Sequence, residues 1–179
     1  MSEFLQPGAI VDIVRTVTHE VFSTMLTLDA VAGEPYTEVQ APGGCEEVVS
    51  FIGLAGSCTG TGSLRCSAAT ACRLASNFLM SGFESVNDEV LDALGELTNM
   101  IIGNLKNQLE DRLGSIGLSI PTVVHGQNFV ARSLTREEWT VVPFRWPEGQ
   151  LDVRICLTAV ARHADPLRAG LKQPSLLGS

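Results

Sequence analysis

One long helical period between Ser85 and Gly114 constrains this chain more than any other feature. Within it Asp92, Glu96 and Asn99 are spaced four and three apart. A helix turns about 100° per residue, so these offsets bring all three side chains to one face. With Glu96 as reference, Asp92 and Asn99 fall within about 60° of it and Gly103 within about 20°. Val90, Leu91, Leu94, Leu97, Ile101, Ile102, Leu105 and Leu109 take the opposite arc. The expectation is a well-buried helix that displays a narrow stripe: an acid, a carboxamide, and a glycine that leaves room beside them. Side chains at Ser85–Asp88 offer caps for its free amides, and Gly114 offers a stop. Pro121 then bars any helix, and Thr122–His125 reads as a strand.

The flanking segments place this helix in an α+β frame. Residues 8–28 repeat apolar side chains at helical spacing, from Ile10 to Leu26. Residues 30–46, rich in Gly, Pro and small polar residues, read as a connector. Val48–Ala55 and Gly62–Cys66 are β-rich, and Gly56–Thr61 between them predicts an antiparallel hairpin. Ser67 is a candidate N-cap for a short helix to about Met80, closed by Gly82. Trp139–Phe144 and Leu151–Ala159 predict a second hairpin, turned by Trp146-Pro147-Glu148-Gly149. Helices would cover one face of a mostly antiparallel sheet in a two-layer sandwich. Residues 1–160 then form a single domain. The segment 161–179, with Pro, Gly and aperiodic Leu, reads as a flexible tail. The outer strands would leave amides unpaired, a route to homodimers through sheet edges.

Composition narrows the partners. Of 179 residues, 45% are hydrophobic and 18% charged, with a formal charge of −8. So acidic a chain is ill-suited to a nucleic-acid backbone or an anionic membrane. A protein partner that presents a cation fits better. No apolar run approaches bilayer-spanning length. Met1-Ser2-Glu3-Phe4 lacks the basic and apolar regions of a secretory signal, so a cytoplasmic location is expected. The five cysteines (Cys45, Cys58, Cys66, Cys72, Cys156) include no CxxC pair and read as small core residues. None of His19, His125 and His163 lies near a matching cysteine pair, so no metal site is expected.

The first helical segment can be laid on the second with an offset of 76. Val14 then matches Val90, Val21 matches Leu97, and Met25 and Leu26 match Ile101 and Ile102. Thr16, Glu20, Ser23 and Thr27 fall on Asp92, Glu96, Asn99 and Gly103. Any two amphipathic helices align to some degree. The matching polar stripes add weight to an internal pseudo-twofold repeat.

Singly, each stripe residue has an ordinary explanation. Asp92 and Glu96 suit a solvated helix face, Asn99 an exposed turn, Gly103 a close helix contact, and Pro121 a strand start. Jointly, their spacing and phase favour a site. At these residues the chain resembles the CheC/CheX/FliY phosphatases of bacterial chemotaxis. That family's signature is Asp or Ser, then Glu four residues on, then Asn three further on, with a proline some 22 positions beyond. Asp92, Glu96, Asn99 and Pro121 fill it in register. CheC- and FliY-type members carry two such motifs. Here Ser23 replaces the first asparagine, so Glu20 and Ser23 would form a degenerate second site. The single intact motif resembles the CheX branch.

The resemblance implies a CheX-like fold, a homodimer and a phosphorylated CheY-like receiver domain as substrate. The receiver brings its own Mg²⁺, and no cofactor is expected on this chain. Hydrolysis of an acyl phosphate then needs an in-line water and charge placement. Asn99 suits the first task, because its carbonyl accepts from water while its amide donates to a phosphoryl oxygen. Glu96 suits pairing with the receiver's lysine. Asp92, Gly103 and Pro121 are assigned to partner binding, with the neighbouring backbone as an alternative partner for Asp92 and with Gly103 keeping the groove shallow. The alternative is a non-catalytic adaptor that binds a receiver or flagellar-switch protein. A small-molecule hydrolase is disfavoured, since the chain has no Ser/His/Asp set, P-loop or clustered metal ligands.

Overall fold

Helix α3 (Asp88–Leu113) forms the spine of the helical layer. The Asn87 side chain accepts from Val90 N at 3.0 Å at its start, and Asp88 and Glu89 place negative charge against the helix dipole. Gly114, at φ +99°, ends it in a conformation closed to most L-residues. Just before that end, Glu110 accepts from Lys106 (2.6 Å) and from the amide of Ile116 (2.7 Å). The Lys106 contact, followed by the Ile116 amide, lowers the Glu110 pKa from its ordinary value. These bonds tie the following strand to the helix. The structure, a computed structural model, describes residues 6–38, 46–127 and 138–160. The expected tail, Cys45 and His163 lie outside those residues.

The other helices are α1 (Pro7–Val21), continued by a π-turn (Phe22–Leu26), and α2 (Ala68–Leu79). Ser67 caps α2 as expected, its hydroxyl accepting from Thr70 N at 3.1 Å. Its C-cap is Met80, in the left-handed region at φ +50°, rather than Gly82. The strands are β1 (Val31–Ala32), β2 (Tyr36–Glu38), β3 (Glu47–Gly56), β4 (Cys58–Ser67), β5 (Ile116–Leu118), β6 (Thr122–Gly126), β7 (Trp139–Trp146) and β8 (Gly149–Ala159). Both hairpins form as expected, with longer arms and tighter turns than the sequence suggested. Trp146 pairs with Gly149 across the second turn. Two short strands, β1 and β2, occupy the segment read as a connector, and β5 lies in the unassigned gap before Pro121.

The strands form one eight-stranded sheet in the order β1–β7–β8–β4–β3–β5, with β2 also on β7 and β6 also on β3. Every pairing is antiparallel. Exchange β1–β4 for β5–β8 and the order reads the same in reverse. The α+β sandwich and its pseudo-twofold, expected from the helix alignment, are therefore present, with the axis between β4 and β8.

The three helices cover one face of the sheet, where a single apolar core joins them to it. All the apolar residues assigned to the buried arc of α3 belong to that core or pack on it. Leu105 is fully enclosed there. Leu105→Ala is expected to cost about 2–5 kcal/mol, the range for emptying a leucine-sized space, read as a lowered denaturant midpoint at constant slope. Cys58, Cys66, Cys72 and Cys156 are buried, as their reading as small core residues suggested. Burial raises the thiol pKa values of the first three, which keeps them protonated.

The opposite face holds a smaller cluster of Trp139, Val141 and Cys156. Beside it, Arg154, only 1% exposed, donates to Glu38 Oε1 from Nε at 2.6 Å and lies 4.6 Å over the Trp139 ring. Asp152 pairs with Arg65 at 3.4 Å one cross-strand row away. Desolvation pulls the Arg154 pKa down, and the Glu38 carboxylate offsets part of that pull. This ion pair fastens β2 to the middle of the sheet.

Candidate functional site

The buried arc of α3 fixes where its polar stripe goes. Once Val90, Leu94, Leu97 and Ile101 are pressed on the sheet, helical phase leaves Asp92, Glu96 and Asn99 outside. All three are exposed. Among the described residues, none hydrogen-bonds or ion-pairs with their side chains. A 26-residue helix bonded into the core at both ends gives them a stiff mount.

Beside the stripe runs an open groove of about 550 Å³, lined by Asp88, Leu91, Asp92, Gly95, Glu96, Pro121 and Val123. One wall is the first half of α3 and the other is the start of β6. Gly95 sets their separation. A Cβ at this position would lie 3.5 Å from Val123 Cγ2 and 3.8 Å from Pro121 Cβ, so any longer side chain would enter the groove. Pro121, expected to bar a helix ahead of a strand, stands just before β6 and lines the far wall of the groove.

The site residues divide along the helix. Asp92, Glu96 and Pro121 meet in the groove. Asn99 stands one turn beyond its lining. Gly103, the glycine expected to keep the groove shallow, lies further along, where a Cβ would come 4.0 Å from Leu118 of β5. Gly95 holds that role, together with the unassigned liners Asp88, Leu91 and Val123. The signal for Gly95 was present, since a mid-helix glycine costs up to about 1 kcal/mol and calls for a local reason.

The pseudo-twofold supplies a counterpart of about 350 Å³ between α1 and β2, lined by Pro7, Gly8, Val11, Asp12, Arg15, Pro35, Tyr36, Thr37 and Thr140. Gly8, Val11, Asp12 and Arg15 follow the same spacing as Asp88, Leu91, Asp92 and Gly95, and Pro35 stands for Pro121. This correspondence is one helical turn beyond the offset of 76 and keeps its phase. It puts Thr16 and His19 where Glu96 and Asn99 stand, whereas the sequence alignment puts Glu20 and Ser23 there. Neither pairing gives α1 an acid and an amide together. Ser23 is exposed, and its hydroxyl donates to the Glu20 carbonyl at 3.1 Å. Arg15 stands where α3 has the open Gly95, and its Nη2 donates to Gly33 O at 3.4 Å.

The family profile described as chemotaxis phosphatase CheX matches residues 48–145, which is more than half of the chain and includes the whole groove. The chain belongs to the CheX family of chemotaxis phosphatases. CheY-P phosphatase CheX of Thermotoga maritima is 29% identical over 119 residues, covering 64% of this chain and 74% of that protein. The crystal structure of CheX from Desulfovibrio desulfuricans superposes with a TM-score of 0.74 at 26% identity, covering 83% of this chain and 99% of that one. The CheX of Borrelia burgdorferi, in its complex with CheY, BeF3 and Mg²⁺, shares the fold at a TM-score of 0.71 and 24% identity, covering 83% of this chain and 97% of that one. These CheX neighbours share the α+β architecture described above. Among the described residues, no helix is long and apolar enough to cross a membrane.

Proposed function

We propose that this chain hydrolyses the aspartyl phosphate of a CheY-like receiver domain, with Asn99 orienting the attacking water and Glu96 pairing with the receiver's lysine. One observation carries the reading: Glu96 and Asn99 stand exposed, without partners among the described residues, on successive turns of a helix whose opposite face is buried in the core. Side chains left without internal partners are available to a visiting molecule. Membership of a phosphatase family, and a Thermotoga maritima relative named for CheY-P, support the same assignment.

The chemistry divides between the two proteins. The receiver presents an activated acyl phosphate with its own Mg²⁺ and lysine. This chain adds two groups in fixed relation. Asn99 carries no charge and approaches the phosphoryl group without repulsion; its carbonyl accepts from the water and its amide donates to an oxygen. Glu96 forms a charge-assisted bond that fixes the docking pose. Placement of this kind is the main lever available in phosphoryl transfer. Asp92 and Asp88 extend the negative rim toward the N-terminus of α3, and Pro121 limits how far the receiver backbone can shift. The same reading sets the chain in the cytoplasm as a homodimer joined through free sheet edges, for which β2 and β6 are candidates.

The direct test follows decay of a receiver labelled with acetyl phosphate, with and without this chain. Acceleration is expected; binding without acceleration would identify an adaptor. Glu96→Ala is expected to raise the apparent KM about tenfold or more while kcat changes less, as loss of a docking pair requires. An unchanged KM would exclude the lysine pairing.

A further inference from the structure

Past the groove, the loop between β5 and β6 carries one more feature. Leu118 lies opposite Gly103, and Pro121 lies opposite Gly95. Asn99 is four residues from each of those glycines, so the intervening Ser119 and Ile120 pass alongside the turn that carries it. Ile120 is 86% exposed. A single exposed apolar side chain is commonplace on protein surfaces. This one is held in place. Ser119 N donates to Gly53 O at 2.9 Å, Ser119 Oγ accepts from Gly53 N at 2.9 Å, and the same hydroxyl donates to Ile120 O at 2.9 Å. Pro121 fixes the next φ. A serine clamp on one side and a proline on the other leave Ile120 little freedom to fold back onto its own protein.

We propose that Ile120 is a preformed apolar anchor for the phosphorylated receiver, taken up by an apolar patch beside the receiver's acyl phosphate. The inference rests on the receiver being the partner, and three features make it the fitting occupant. The anchor is continuous with Pro121 and Val123 on one wall of the groove and faces the α3 wall of Leu91, Asp88, Asp92 and Glu96, so the contact surface combines apolar ground with acids. Such a surface suits a partner whose lysine is ringed by apolar side chains. Because the loop is clamped beforehand, little ordering entropy is lost on docking. The anchor also lies beside the residue whose placement matters most, so it would limit rocking of the receiver about the Glu96 contact.

The test measures binding and turnover separately. Ile120→Ser, Ile120→Leu and wild type are titrated with a receiver carrying beryllofluoride and Mg²⁺ as the phosphate mimic, and are assayed on the phosphorylated receiver. Ile120→Ser is expected to weaken binding and raise KM about tenfold, equivalent to about 1.4 kcal/mol, with the thermal midpoint unchanged. Ile120→Leu is expected to stay near wild type. Unchanged binding by Ile120→Ser would overturn the anchor and leave the phosphatase reading intact. Wild-type binding without accelerated decay would overturn the phosphatase reading and leave the anchor standing.

Discussion

Asn99→Ala is expected to lower the receiver-phosphate decay rate supported by this chain at least about 100-fold, the scale of losing one positioning group. Stability should hold or rise slightly. Asn99 is exposed, makes no bond to the described residues, and alanine is the better helix former. Binding of a beryllofluoride-loaded receiver should stay close to wild type, because Glu96, Asp92 and Pro121 are untouched. The pattern sought is therefore a kcat loss without an affinity loss. A variant that clears phosphate at the normal rate would remove Asn99 from the mechanism. A wild-type protein that binds the receiver tightly without speeding its decay would leave only the adaptor.

The second large effect concerns stability. Glu38→Ala should destabilise the fold by about 3 kcal/mol, the lower part of the range for stripping one partner from a buried ion pair. Arg154 is 1% exposed, and Glu38 is its hydrogen-bonded counter-ion at 2.5 Å from Nη2. Asp152 lies close enough to supply some residual charge, which argues for the lower figure. For a chain of this size the thermal midpoint would fall about 6–12 °C. The double variant Glu38→Gln with Arg154→Met should recover most of the loss, because it removes the stranded charge as well as the pair. If the double variant is as unstable as Glu38→Ala, the cost lies in packing around β2 and the electrostatic account fails.

Sequence periodicity was sufficient wherever an element's own residues determine it. The α3 helix, with its apolar arc, its start within Ser85–Asp88 and its stop near Gly114, could be read because helical phase separates Leu94, Leu97 and Ile101 from Glu96 and Asn99 without knowledge of any neighbour. The hairpins were legible for the same reason, each pairing being local. β1, β2 and β5 were not. Val31–Ala32 and Tyr36–Glu38 are too short for a period, and they are strands only because β7, a hundred residues later, offers them partners. The end of α2 near Met80 was legible, but its cap was not: Met80 itself takes the left-handed conformation that Gly82 was expected to supply. At the site, the motif named the stripe but assigned the groove's open space to Gly103. That space depends on which α3 residue Pro121 and Val123 approach, a tertiary fact, and the answer is Gly95.

The mirrored strand order means that neither half of the chain owns its own border. Residues 31–38 hem the late hairpin, while residues 116–126 hem the early one. A fragment beginning at residue 68 would keep Glu96, Asn99 and Pro121 yet leave Pro121's strand without β3 to lie against. The half with the blunted stripe is thus the loom on which the working half is stretched, and it would resist deletion however little chemistry it performs.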